Sequence, residues 1–234
     1  MLSIDTDPTG GAWESPTDGL RLGPAPEPGW WATLRAQHER TGWWPLLLGA
    51  LSERDPGRPW RDPGDLHPGQ IKSRPEDHYP GALLGGWAGD DWSGLASPGI
   101  LQEDPGERAD RLADEILAQR CLALPRIGLI RSGRGADTIT DVAWTGPTNF
   151  ENDTAKISAV LRNWEDRFGA RLIGVGFDVL YLSVAAPPVD AGHALAVAAE
   201  HYAFCPDNVD QGSGDLEEYA SDLLDAPVWS FWWD

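Results

Sequence analysis

Five apolar side chains set the first constraint on how this chain folds. Ile157, Val160, Leu161, Trp164 and Phe168 recur at helical spacing, so the segment from Asp153 to Phe168 gathers them on one stripe only as a helix. Asn152 or Asp153 can accept hydrogen bonds from its first turn, and Gly169 can take the left-handed stop. The pattern then changes period. Arg171–Val175 and Val179–Val184 are short apolar runs joined only by Gly176, Phe177 and Asp178. That link is too short for a parallel crossover, so residues 171–184 are expected to form an antiparallel hairpin. A helix with one apolar stripe and a sheet with an apolar face cover each other in a layered α/β fold.

The rest of the chain extends this alternation. Trp30–Arg40 reads as a helix ended by Gly42, and Trp43–Leu51 as a buried strand. Pro105–Arg120 is an amphipathic helix, and Arg126–Arg131 a strand. Asp190 can cap a helix running to Phe204, and Pro206 prevents its continuation. Leu216, Tyr219, Ala220, Leu223 and Leu224 form another stripe, followed by a strand over 228–233. The expectation is α/β: a mixed sheet of about five strands with flanking helices. Residues 1–29, with five Pro and five Gly, read as a flexible leader. Residues 30–234 read as a single domain interrupted at about 52–100 by an irregular insertion rich in Pro, Gly and Trp.

Charge restricts the partners. The 37 acidic and 18 basic side chains give a formal net charge of −19. Residues 172–234 hold eleven Asp or Glu and no Lys or Arg. Nucleic-acid backbones and anionic membranes attract clustered bases, so neither is an expected partner, whereas a basic protein is. The first residues lack the basic and apolar regions of a secretory leader, and no stretch has the length of an apolar span. Cys121 and Cys205 are the only cysteines, which gives no disulfide framework and no zinc spacing. A cytoplasmic location and no cofactor are therefore expected.

The segment WTGPTNFENDTAKISAVLRNWEDRFGARLIGVGFDVLYLSVAAPP, the segment HALAVAAEHYAFCPDNVDQG and the ending WSFWWD resemble domain of unknown function family 4253, known mostly from actinobacteria. The resemblance is strongest over 144–234 and extends back to Trp43-Trp44-Pro45-Leu46 across a variable middle. It implies a bacterial protein and carries no activity.

Candidate chemistry is sparse. His201, Cys205 and Asp207 lie close in sequence, and with Asp178 they could line a hydrolase-like pocket built on an activated thiol. Acidic neighbours oppose that activation, and a small core Cys beside a helix-terminal His is the plainer reading. Asp207 and Asp210 could bind a hard cation, although the acidic loop lacks EF-hand spacing. Trp60, Trp87 and Trp92 in the irregular insertion are candidates for an exposed aromatic platform that binds a carbohydrate or another small molecule. Asp210, Asp215, Glu217 and Glu218 are candidates for a face that steers a basic partner, as in an immunity-type protein. The leading expectation is thus an acidic interaction module rather than an enzyme, with the hydrolase-like pocket and the Trp-lined binder as alternatives.

Overall fold

All six side chains of Trp43–Leu48 are buried. Successive strand residues point to opposite faces, so this strand needs cover on both sides, as a strand central to a layered α/β fold does. The computed structural model describes residues 12–61 and 65–234. In chain order the elements are β1 (Glu14–Thr17), β2 (Leu20–Leu22), α1 (Trp30–Arg35), α2 (His38–Thr41), β3 (Trp43–Leu48), α3 (Pro80–Ala88), α4 (Pro105–Gln119), β4 (Arg126–Arg131), α5 (Thr138–Asp141), α6 (Thr154–Phe168), β5 (Arg171–Val175), β6 (Val179–Ser183), α7 (Ala191–Phe204), α8 (Leu216–Asp222) and β7 (Val228–Trp232).

The seven strands form one mixed sheet in the order β1, β2, β4, β3, β5, β6, β7. Only β3 and β5 run parallel, with Leu47 opposite Gly174. The hairpin of β5 and β6 and the terminal strand β7 stand where the sequence placed them. The count of about five strands needs correction to seven. The extra two, β1 and β2, lie in the stretch read as a flexible leader. Leu20 and Leu22 of β2 are buried and pair with β4. Strands of four and three residues are too short to leave a period in the sequence, and Pro16 argued against one. The part of that leader over residues 1–11 lies outside the described residues. No helix among the described residues is long and apolar enough to cross a membrane.

Local chemistry explains the helix ends. Asp104, Asp153, Asp190 and Asp215 each cap a helix by accepting from a first-turn backbone N–H. Gly169 ends α6 with φ 60°, the left-handed conformation in which a glycine costs least. The apolar stripe of α6 then meets β7. Trp164 stacks on Phe231 with ring centroids 5.2 Å apart, and its edge contacts Trp229 and Phe204 at 5.6 and 4.8 Å.

One buried ion pair joins three segments of this layer. Glu200 of α7 is fully buried. Its Oε1 accepts from the backbone N–H of Ala96 at 2.7 Å, and its Oε2 accepts from Trp164 Nε1 at 2.8 Å. Arg167 of α6 donates to both carboxylate oxygens and also to the Ala96 carbonyl, the last at 2.7 Å. Ala96 therefore finds one acceptor and one donor in the pair, as a residue in a strand would. This is how the irregular stretch after α3 is fastened without secondary structure.

The outer edge of β7 is closed by side chains. The Asn208 carboxamide donates to the Ser230 carbonyl at 2.7 Å and accepts from the Trp232 N–H at 3.2 Å. The Cys205 thiol donates to the Trp232 carbonyl at 3.0 Å. An edge strand left open would template pairing with another chain.

Removing one partner from a buried pair strands the other charge. Glu200→Ala is expected to lower unfolding free energy by about 3–5 kcal/mol, with Glu200→Gln less damaging, as read by urea denaturation. An unchanged midpoint for Glu200→Ala would show that the pair is not a tie of the fold.

Candidate functional site

The residues singled out by the sequence do not converge on one cleft. His201 and Cys205 are fully buried. The His201 ring sits 4.4 Å from Trp229 and 4.8 Å from Phe231, and its Nδ1 meets the Tyr219 hydroxyl at 3.0 Å. Burial, reinforced by the charge of Arg167, pulls the imidazole pKa down from 6.5 to about 3. Burial pushes the Cys205 thiol up to about 12. At neutral pH both groups are uncharged and enclosed, the opposite of an activated thiolate beside an imidazolium. Asp207 accepts from Gln211 Nε2 and from the Asp234 N–H, at 2.9 and 3.1 Å. Asp178 is half-buried at the hairpin turn, where its carbonyl accepts from the Trp233 N–H at 3.0 Å.

The acidic candidates are exposed, but they have local tasks. Asp210 accepts from the Tyr202 hydroxyl at 3.2 Å, and Asp215 caps α8 by accepting from Glu217 and Glu218 N–H. Glu217 and Glu218 lie in the first turn of that helix, where negative charge is favoured. No grouping of three His, Cys, Asp or Glu side chains fit to hold a metal is present among the described residues.

The Trp platform is corrected at Trp60, while Trp87 and Trp92 are half-buried. Trp60 is only 3% exposed, and its Nε1 donates to the Gly49 carbonyl at 2.6 Å. Trp87 packs on Phe150 at 5.2 Å, and Trp92 lies against Gly85. Burial of large aromatics is what holds the irregular insertion to the core. The more exposed tryptophan is Trp232, the outward member of the pair 232–233.

A concave feature lies elsewhere among the described residues. A cleft of about 870 Å³ opens between two walls. One wall holds Asp137, Thr140 and Asp141 of the α5 region, together with Arg162 of α6. The other comes from the β1–β2 turn at Asp18 and from residues 60–61 and 66–76, including Arg61, Ile71 and Ser73. An apolar lining with a few convergent polar groups is the usual form of a binding site.

Charge within this cleft is uneven. Arg162 forms a two-pronged pair with Asp137 at 2.5 and 2.6 Å and lies 3.4 Å from Glu76. Arg61 is held by Glu14 at 2.5 Å, and Arg74 by Asp77 at 2.8 Å. Each arginine is thus already matched to a carboxylate. Asp18 and Asp141 form no ion pair among the described residues. Asp141 is exposed, yet partial desolvation by the surrounding walls pushes its carboxyl above the usual 3.8, with the Ser132 hydroxyl and the charge of Arg162 opposing that effect and the neighbouring charge of Asp137 adding to it. Nothing in the sequence pointed here, because the cleft joins residues more than a hundred positions apart and has no motif spacing.

A family model described as a domain of unknown function, DUF4253, matches residues 126–234. No curated protein matches the chain, and no solved structure does. The matched segment begins at β4, so it supplies the wall carrying Asp137, Asp141 and Arg162. The wall from 16–19, 60–61 and 66–76 precedes it.

The buried imidazole gives a pH test of the packing. The unfolded chain protonates His201 near 6.5, whereas the fold resists until about 3. The stability due to the neutral imidazole is therefore complete above 6.5 and falls as pH drops from 6.5 towards 3. Urea denaturation at several pH values is expected to show this fall, reduced in His201→Phe. Equal pH slopes for both proteins would place the acid sensitivity elsewhere.

Proposed function

We propose that this chain, which carries a DUF4253 domain over residues 126–234, is a binding protein whose large cleft takes a cationic, partly apolar segment of a basic partner. The observation that carries this reading is the pairing inside the cleft. Arg61, Arg74 and Arg162 are each neutralised by carboxylates, while Asp18 and Asp141 form no ion pair among the described residues. A guanidinium or ammonium entering there meets two solvent-exposed carboxylates beside apolar walls, which can give it charge-assisted hydrogen bonds. Apolar side chains such as Ile71, Leu66 and Val142 receive the flanking part of the ligand.

Long-range attraction fits the same partner. The net charge of −19 draws a basic molecule towards the protein at low salt, and the cleft then provides the specific contact. The acids on α8 and in the loop before it contribute to the field, while the bonds that Asp210 and Asp215 already accept make those two poor anchors.

A carboxyl held above its ordinary range is a cost to the fold when ionised, so its removal separates binding from stability. At pH 7 Asp141→Asn is expected to raise the melting temperature slightly. The gain should vanish below about 3.8, where the ordinary carboxyl is itself protonated. Binding should move the other way. A fluorescein-labelled peptide alternating arginine and leucine is expected to bind in an anisotropy titration, more weakly at high salt, while an alternating glutamate and leucine peptide does not. Asp18→Asn with Asp141→Asn should weaken the basic peptide by about tenfold or more, roughly 1.4 kcal/mol. Equal binding of the two peptides, or no loss in the double variant, would sink the reading.

A further inference from the structure

A second cleft of about 520 Å³ adjoins the first, and Ser73 lines both. It also contains His78, Asp153, Lys72 and Lys156. The last two are the only lysines in a chain that otherwise uses arginine for positive charge. Ser73 Oγ lies 2.7 Å from Asp153 Oδ2 and 2.6 Å from His78 Nε2. Asp153 is 6% exposed, and its other oxygen accepts from the Ala155 N–H at the start of α6. A serine hydroxyl has one proton. Donated to the buried carboxylate, it leaves Oγ to accept from His78, which must then carry its proton on Nε2. The serine oxygen is thus held between a proton acceptor and a proton donor.

We propose that Ser73 is a nucleophile towards carboxylic esters, with Asp153 as its base. Ser73 Oγ attacks the ester carbonyl carbon while Asp153 Oδ2 takes the hydroxyl proton. The carbon–oxygen bond to the alcohol then breaks, and the proton passes from Asp153 to the departing oxygen. Water next attacks the acyl-serine, giving one proton to Asp153. The serine–acyl bond breaks, and Ser73 Oγ recovers that proton. The products are a carboxylic acid and an alcohol, and one water is consumed. His78 Nε2–H steadies the oxygen that gains charge when the serine leaves. The lysines, compact cations rather than planar forks, line the cleft where the acyl oxygen becomes negative. Lys156 is held in place by Glu151 at 2.8 Å, and Lys72 by the Gly69 carbonyl.

The proposal is independent of the cationic ligand, since labelling of the serine needs no occupant in the larger cleft. The test is incubation of the full chain with an alkyl fluorophosphonate, followed by intact mass and peptide mapping. One adduct is expected, on Ser73, formed as the oxygen–phosphorus bond replaces phosphorus–fluorine. Ser73→Ala should take no label. Asp153→Asn keeps an oxygen for the helix cap and should label at least about tenfold more slowly, with its circular dichroism unchanged. Hydrolysis of p-nitrophenyl acetate should track the labelling rate across the variants. No adduct on Ser73, or wild-type labelling in Asp153→Asn, would overturn the assignment. Should Asp153→Asn fail to fold, His78→Gln replaces it, with the same slowing expected and an unchanged rate again decisive.

Discussion

A carboxylate with no access to water organises the half of the molecule that packs around Trp164. Glu200 is tolerable at full burial because every direction it faces supplies a donor: a backbone N–H, an indole and both arms of a guanidinium. Such a pair contributes little net stability compared with an apolar core, because dehydrating two charges offsets their attraction. Its consequence is geometric. The helices α6 and α7 cannot slide past one another without unmatching Arg167 and Glu200, and Ala96 is held to both by its own backbone groups. The chain after Ala96 inherits that position. Ser97 and Gln102 bond to His193 and Ala185, and Gly99 approaches so closely that an added Cβ would lie 2.0 Å from the Ala186 carbonyl. A long stretch without helix or strand is thereby ordered.

The uneven charge has a related explanation. Much of the negative charge in 172–234 sits at helix starts and in local hydrogen bonds, where it satisfies backbone N–H groups or neighbouring side chains. The same economy appears on β7, where Asn208 and Cys205 complete the edge that another strand would otherwise occupy. These residues attracted notice in the sequence because His, Cys, Asn and Asp are the usual carriers of chemistry. Their surroundings give them structural duties instead, and burial moves the imidazole and thiol away from reactivity.

Legibility followed the range of the interaction. Helices α4, α6 and α7 were readable because caps, stripes and terminators lie within one segment. The hairpin of β5 and β6 was readable because its link is short. Strands β1 and β2 were not, since four and three residues are too short to leave a period and the pairing of β2 with β4 spans more than a hundred residues. Trp60 was misplaced for a different reason. Composition shows that an irregular segment contains a tryptophan, while the acceptor that buries it, the Gly49 carbonyl, lies in the loop after β3. The site suffered most, because both clefts are assembled across segment boundaries. Asp141 gains its character from walls that the sequence does not place beside it, and Ser73 and Asp153, 80 positions apart, meet only in the fold.

The division of labour between the walls of the two clefts follows from their supports. Asp137, Asp141, Asp153 and Arg162 stand on or beside helices α5 and α6, and α6 is braced through Trp164 and Arg167 against the core. Groups on so rigid a base can hold charge at fixed distances. The facing residues, Asp18, 60–61 and 66–76, belong to turns and irregular chain, tied down by Trp60 and by the ion pairs of Arg61 and Arg162 with Glu14 and Glu76. Such a wall can change shape or length with little effect on the sheet. The ordered side, which lies within the DUF4253 match, is therefore suited to reading charge, and the looped side to reading the form of whatever carries it. Ser73 and His78 belong to the looped side and Asp153 to the ordered side, so the serine site exists only when both walls are in register.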